Sequence, residues 1–179
     1  MAIVILAFAA FLLFDMNSVI LRSKTLQILF PLGVLLLLIA TITEVNTAYW
    51  QIAPLESINY VWLALSVIHT ILLVYALFFA IPFSESYTDS INVGSRTVTR
   101  TGLYGICRHP GVWFLAFALF FLALAMSTLR MWLFVGLVSF FNLLYALFQD
   151  LWTFPRIFSD YNDYRQSVPF LLPRLRKRL

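Results

Sequence analysis

Charge is scarce in this chain: acidic and basic residues make up only 11% of it, while 62% is hydrophobic. That balance excludes an ordinary soluble domain, because so much apolar surface must face lipid or a lipid-shielded interior. Cysteine is nearly absent. The single Cys107 excludes an internal disulfide and a cysteine-based zinc site, and no metal is expected. No Lys or Arg precedes the first apolar run and no small-residue cleavage site follows it, so the run reads as a retained span and not as a signal peptide. Also lacking are an internal repeat and a chain of charges inside any apolar run, which argues against a transporter. Nothing points to a nucleic-acid partner.

What the chain has is apolar runs long enough to cross a bilayer, about 20 residues in each case. They cover about 2–21, 26–43, 59–83, 111–128 and 131–148. The expected fold is therefore an all-α membrane protein, one integral domain over 1–179, with five transmembrane helices that include two hairpins. Of the twelve Lys and Arg residues, only Arg130 falls on the side of Glu44 and Glu56. By the positive-inside rule the N-terminus is outside, and the 84–110 loop and the 149–179 tail are cytoplasmic.

Four stretches carry polar residues that call for an explanation. Asp15 and Asn17 sit in the first run, and Asp15 lies seven residues before Arg22 on the same helical face. An ionisable group at that depth is a functional candidate; the plainer alternative is an ion pair with Arg22 or Lys24. His69, in the third run, reads as a histidine hydrogen-bonded within helix packing. In the long polar loop, Thr101-Gly102-Leu103-Tyr104-Gly105-Ile106-Cys107-Arg108-His109-Pro110 ends where a helix begins. Arg108 and His109 thus meet backbone N–H groups suited to an anionic ligand, or else they form a basic anchor for lipid phosphates. Finally, the short fourth-to-fifth connection brings Gln149-Asp150 back to Arg108-His109, as a site or as a structural ion pair.

After Asp150, Pro155 is expected to break or kink the run and start a C-terminal amphipathic interfacial helix. Phe154, Ile157, Phe158, Tyr161, Tyr164 and Val168 form its apolar stripe. Arg165 falls within that stripe, either snorkelling to phosphates or turned toward Asp150. The basic cluster from Pro173 to Leu179 suits anionic membrane lipids.

Taken together, Thr101-Gly102-Leu103-Tyr104, Arg108-His109-Pro110, the helical hairpin, and Phe158, Tyr161, Tyr164 and Val168-Pro169 ahead of Pro173 resemble the integral membrane methyltransferases. That family includes isoprenylcysteine carboxyl methyltransferases and phospholipid methyltransferases. The resemblance covers about Thr101 to Pro173. It implies an S-adenosylmethionine site on the cytoplasmic side, with Gly102, Leu103, Tyr104 and His109 on the cofactor and Arg108 and Asp150 as the catalytic pair orienting charges. It also implies a lipophilic or lipidated acceptor that enters from the bilayer. The chain differs from the family pattern at Gly105, Val112, Gln149, Ser159 and Phe170. Two other functions are carried beside this one: a catalytically silent relative that binds lipid or a partner protein, and a membrane reductase of the sterol reductase type.

Overall fold

A computed structural model of the chain describes residues 1–52, 58–80 and 96–172. The 53–57 part of the second loop, residues 81–95 and the basic cluster at 173–179 lie outside the described residues. Helix α1 (Ala2–Met16) runs on through a π turn at Asn17–Leu21, and α2 (Leu29–Ile52) follows a single 3₁₀ turn at Thr25–Ile28. Helix α3 is Tyr60–Phe78, α4 is the short Leu103–Ile106, and α5 is Pro110–Met126. Helix α6 (Leu129–Phe148) passes through a second π turn, Gln149–Thr153, into α7 (Phe154–Ile157), and α8 (Tyr161–Ser167) is the last helix of the described residues.

The element boundaries have local causes. Arg22 terminates the first helix with φ 53°, and Asn17 seals the turn, its amide donating to Ser23 O at 2.9 Å and its oxygen accepting from Ser23 N at 3.0 Å. The Asn59 side chain caps α3 by accepting from Val61 N at 3.1 Å, and Thr128 caps α6 by accepting from Met131 N at 3.2 Å. Between α5 and α6, Ser127 supplies the left-handed residue, φ 48°, that closes the hairpin. Pro155 does not break the run as expected. The π turn immediately before it widens the helix, so the missing N–H is absorbed without interrupting the rod.

Among the described residues, four helical stretches are long and apolar enough to cross a membrane: Ala2–Leu21, Thr25–Trp50, Tyr60–Phe78 and Leu129–Ile157. This composition fits an integral membrane protein. The fourth expected span, now α5, is an apolar helix of 17 residues, about 26 Å long at 1.5 Å per residue. Helices α1, α2 and α6 share the main core. Phe11 stacks on Tyr145 at 5.6 Å between ring centroids and leans on Phe30 at 5.7 Å, while Phe134 and Val138 are fully buried. The α1–α2 crossing is close because Gly33 has no side chain: a Cβ there would stand 2.6 Å from the Phe11 ring. Helix α3 packs on α5, where Ser66 Oγ donates to Ala118 O at 2.8 Å. His69 serves that packing too, its Nδ1 at 2.8 Å from Leu65 O and its ring 5.0 Å from Phe121.

Helix α2 extends well past Thr43, where the apolar run was expected to end. Glu44, placed in the outer loop from sequence, is buried within α2 and takes a two-point ion pair from Arg130 at the start of α6. A pair of this kind lets a charged residue continue an apolar helix. It also ties the α2 end to the α5–α6 turn, at the opposite end of the bundle from Arg108.

Candidate functional site

The decapeptide folds back on itself before α5. Gly102 takes φ 60° and ψ −135°, a conformation open to glycine and little else, and this allows the single turn α4. Gly105 then passes so close to the strap at 96–100 that a Cβ would lie 2.7 Å from Arg100 O. A side chain at this position is thus excluded on steric grounds. Beyond α4, the chain segment after α8 clamps the motif. Arg108 N donates to Pro169 O at 2.9 Å and His109 N to Phe170 O at 3.3 Å. The backbone N–H groups of Arg108 and His109 themselves are thus paired with backbone carbonyls.

The same closure governs the Arg108 side chain. Its Nε meets Asp150 Oδ1 at 2.7 Å and its Nη2 meets Oδ2 at 3.0 Å, while Nη1 donates to Val168 O at 2.6 Å and Arg165 O at 3.0 Å. Phe170 covers one face of the guanidinium, 5.7 Å from ring centroid to Cζ. Asp150 also accepts from the Tyr161 hydroxyl at 2.6 Å and has Arg165 Nε at 3.6 Å. Arg165 is accordingly turned toward Asp150. Burial first, then the neighbouring Asp150 carboxylate, pushes the Tyr161 phenol above its ordinary value, so it stays protonated and donates to Asp150.

Next to this cluster opens a cavity of about 540 Å³. Tyr104, Arg108 and His109 line it, as do Thr97, Val98 and Thr99 of the strap. Gly102, Leu103 and Asp150 stand outside its lining. The Tyr104 hydroxyl is anchored to Ala76 O at 3.0 Å, its backbone carbonyl accepts from Tyr164 Oη at 2.6 Å, and burial pushes its phenol up to about 12. Of the expected site residues, then, Tyr104, Arg108 and His109 come together on the cavity, and Asp150 holds Arg108 from behind. Burial likewise raises the Cys107 thiol, which keeps it protonated.

Three buried side-chain atoms among the described residues have no hydrogen-bond partner: Asp15 Oδ1, His109 Nε2 and Asn142 Nδ2. All three residues line this one cavity. His109 stacks on Phe154 at 5.7 Å and meets Phe170 edge-on at 5.0 Å, and its Nε2 is 3.5 Å from Asp150 Oδ1, long for a hydrogen bond. Burial depresses its pKa against the opposing pull of Asp150, leaving a neutral imidazole at neutral pH. Asp15, fully buried, accepts from Thr153 Oγ1 at 3.2 Å. It does not pair with Arg22 or Lys24, both exposed. Asn142 belongs to none of the motifs read from the sequence. Its one signal was spacing: Asn142, Tyr145 and Gln149 recur on one face of the α6 rod, and that face lines the cavity.

The C-terminal stripe is buried inward as well. Ile157, Tyr161, Tyr164 and Val168 are covered, whereas Arg156, Asn162 and Asp163 are exposed. The stripe is split by the extended Phe158 (φ −105°, ψ 126°) into two short helices, and it roofs the Arg108 cluster. No protein-family model, curated protein or solved structure matches this chain.

Proposed function

We propose that this protein transfers a methyl group from S-adenosylmethionine to a lipid-soluble acceptor. The observation that carries this is the gathering of three unpartnered buried polar atoms, on Asp15, His109 and Asn142, around one aromatic-walled cavity. Stable folds rarely leave such atoms unpaired without a ligand or water to meet them, and the volume lies within the range of small-molecule sites. The walls fit a sulfonium cofactor. Arg108 is neutralised by Asp150 and His109 is held neutral, so neither repels a cation, and the faces of Tyr104, Phe154 and Phe158 favour one.

When bound, S-adenosylmethionine supplies an electrophilic methyl group. The chain's own part is alignment, since such a transfer depends on geometry more than on acid or base work. Tyr104 and His109 would hold the cofactor, with Gly102 and Leu103 shaping the turn behind them, and the Arg108–Asp150 pair fixes the roof that excludes water. In this reading α5 is a fifth crossing, the N-terminus is outside, and the cavity opens at the cytoplasmic end, where Arg22, Lys24 and Arg100 are exposed. Lipids and the acceptor would meet it from the bilayer, and α7 and α8 would lie along the interface.

Thermal-shift titration of the purified protein with S-adenosylmethionine, S-adenosylhomocysteine and NADPH tests this. Stabilisation by the first two and not the third is expected, and the response should vanish in His109→Ala. Stabilisation by NADPH alone would favour the reductase, and no response to any of the three would exclude both enzymes. A second function, ligand binding without chemistry, is favoured by the complete engagement of Arg108 with protein acceptors. It predicts S-adenosylmethionine binding, if any, without turnover of any lipid extract.

A further inference from the structure

Among the described residues three carboxylates are buried, those of Asp15, Glu44 and Asp150. Two of them hold an arginine through both oxygens: Glu44 takes Arg130, and Asp150 takes Arg108. Asp15 has no such partner. None of the ion pairs among the described residues includes it, and Arg22 and Lys24, the cations nearest in sequence, are exposed. Its place differs as well: Asp15 lines the cavity, whereas Glu44 and Asp150 do not. The one buried carboxylate that lacks an arginine is thus the one beside the empty space.

A carboxylate shut away from water is costly unless a counter-charge and hydrogen bonds replace its hydration. Thr153 Oγ1 donates to Oδ2 at 3.2 Å, which leaves Oδ1 without a donor. A hydroxyl brings a donor but no charge, and a sulfonium or quaternary ammonium brings charge but no donor. Asp15 also belongs to no group of three or more His, Cys, Asp or Glu side chains among the described residues that could hold a metal ion. We infer that Asp15 is the counter-ion of a ligand amine: a protonated amine in the cavity donates to Oδ1, and its charge balances the carboxylate as Arg130 and Arg108 balance the other two. The Gln149 and Tyr145 side chains stand beside the Asp15 carboxyl, and their oxygens can accept further N–H groups. A carboxylic acid and a free amine make the same complex, so the assignment does not depend on where the proton starts. Such an amine has two sources, the α-amino group of S-adenosylmethionine or the head of an amine-bearing amphiphile, and the binding stands without any methyl transfer.

Calorimetry on the unaltered protein in phosphatidylcholine nanodiscs, corrected for empty nanodiscs, tests this with two matched pairs: dodecylamine against dodecanol, and S-adenosylhomocysteine against its deaminated analogue. In at least one pair the amine should bind about ten-fold more tightly or better, the worth of one charge-assisted hydrogen bond. A preference in the first pair assigns the amine to an amphiphile, and one in the second assigns it to the cofactor. Asp15→Asn, close in volume and uncharged, should erase the preference. No discrimination in either pair by the unaltered protein overturns the inference, a result that needs no variant to fold, and so does a preference that Asp15→Asn keeps. If S-adenosylmethionine stabilises the protein while neither pair is discriminated, the Asp15 site is wrong and the methyltransferase reading stands. If dodecylamine is preferred, and the preference is lost in Asp15→Asn, while S-adenosylmethionine fails to bind, the Asp15 site stands and that reading falls.

Discussion

Arg108 and Asp150, 42 residues apart in sequence, meet fork to fork, with Nε–Oδ1 at 2.7 Å and Nη2–Oδ2 at 3.0 Å, both side chains shielded from solvent. The pair joins the start of α5 to the π turn after α6, and through Val168 O and Arg165 O it also fastens the segment around α8. Three parts of the chain therefore share one guanidinium.

Removing either partner should strand the other. Asp150→Ala leaves a buried, uncompensated guanidinium, and a loss of about 3–5 kcal/mol is expected. Arg108→Lys should be nearly as harmful, because an ammonium cannot reproduce two parallel bonds to a carboxylate plus two to carbonyls. Denaturant titration in detergent micelles, followed by circular dichroism, measures both. If Arg108→Lys retained the full stability of the parent, the fork would not be what holds this end of the chain.

Much of this arrangement is legible in the sequence, for a physical reason. Short turns force antiparallel neighbours, so the hairpin alone brings Asp150 to Arg108, and hydropathy alone marks where the long helices run. What cannot be read that way depends on atoms that every residue shares or on tertiary encounters. The carbonyls of Val168, Pro169 and Phe170 that consume the Arg108 and His109 donors are backbone groups without sequence identity. Asp15 looked like a partner for Arg22 because helical spacing is local. The encounter with Thr153, 138 residues away, is not. The continuity of the rod through Pro155 is not legible because a π turn has no compositional mark, nor is the length of α2, because Glu44 is tolerated only through Arg130.

The strap at 96–100 should be pH-sensitive in a defined direction. Asp160 Oδ1 accepts from Val98 N at 2.9 Å and its Oδ2 from Arg100 Nη2 at 2.8 Å. Partial burial works against the Asp160 charge, but these donors outweigh it and hold the carboxyl below its ordinary value. A depressed carboxyl contributes stability that is complete above its unfolded value, about 3.9, and is lost as pH falls through the lower folded value. Arg100 is half-exposed, so the gain is modest, roughly 1 kcal/mol at most. Amide exchange at Val98 should accelerate about five-fold in Asp160→Asn at neutral pH, equivalent to that roughly 1 kcal/mol. The ratio between variant and parent should approach one in strong acid, where the parent carboxylate is also neutral. A ratio independent of pH would remove Asp160 as the latch.

The two glycines of the motif should respond differently to alanine, although each is three residues or fewer from Tyr104. At Gly102 a Cβ meets nothing within 4 Å, but φ is 60°, so Gly102→Ala adds backbone strain of about 1–3 kcal/mol without displacing a neighbour. At Gly105 the backbone is ordinary helix and the obstacle is external: a Cβ 2.7 Å from Arg100 O. Backbone cannot rotate away as a side chain can, so Gly105→Ala must push the strap off α4. Because Thr97, Val98 and Thr99 line the cavity, that displacement reaches the site, whereas the strain at Gly102 stays in its own turn. Both variants should lose stability in thermal unfolding, with about 1–3 kcal/mol expected for the overpacked one. Only Gly105→Ala should also speed amide exchange at Val98. Equal exchange in the two variants would mean that the strap does not rest on Gly105.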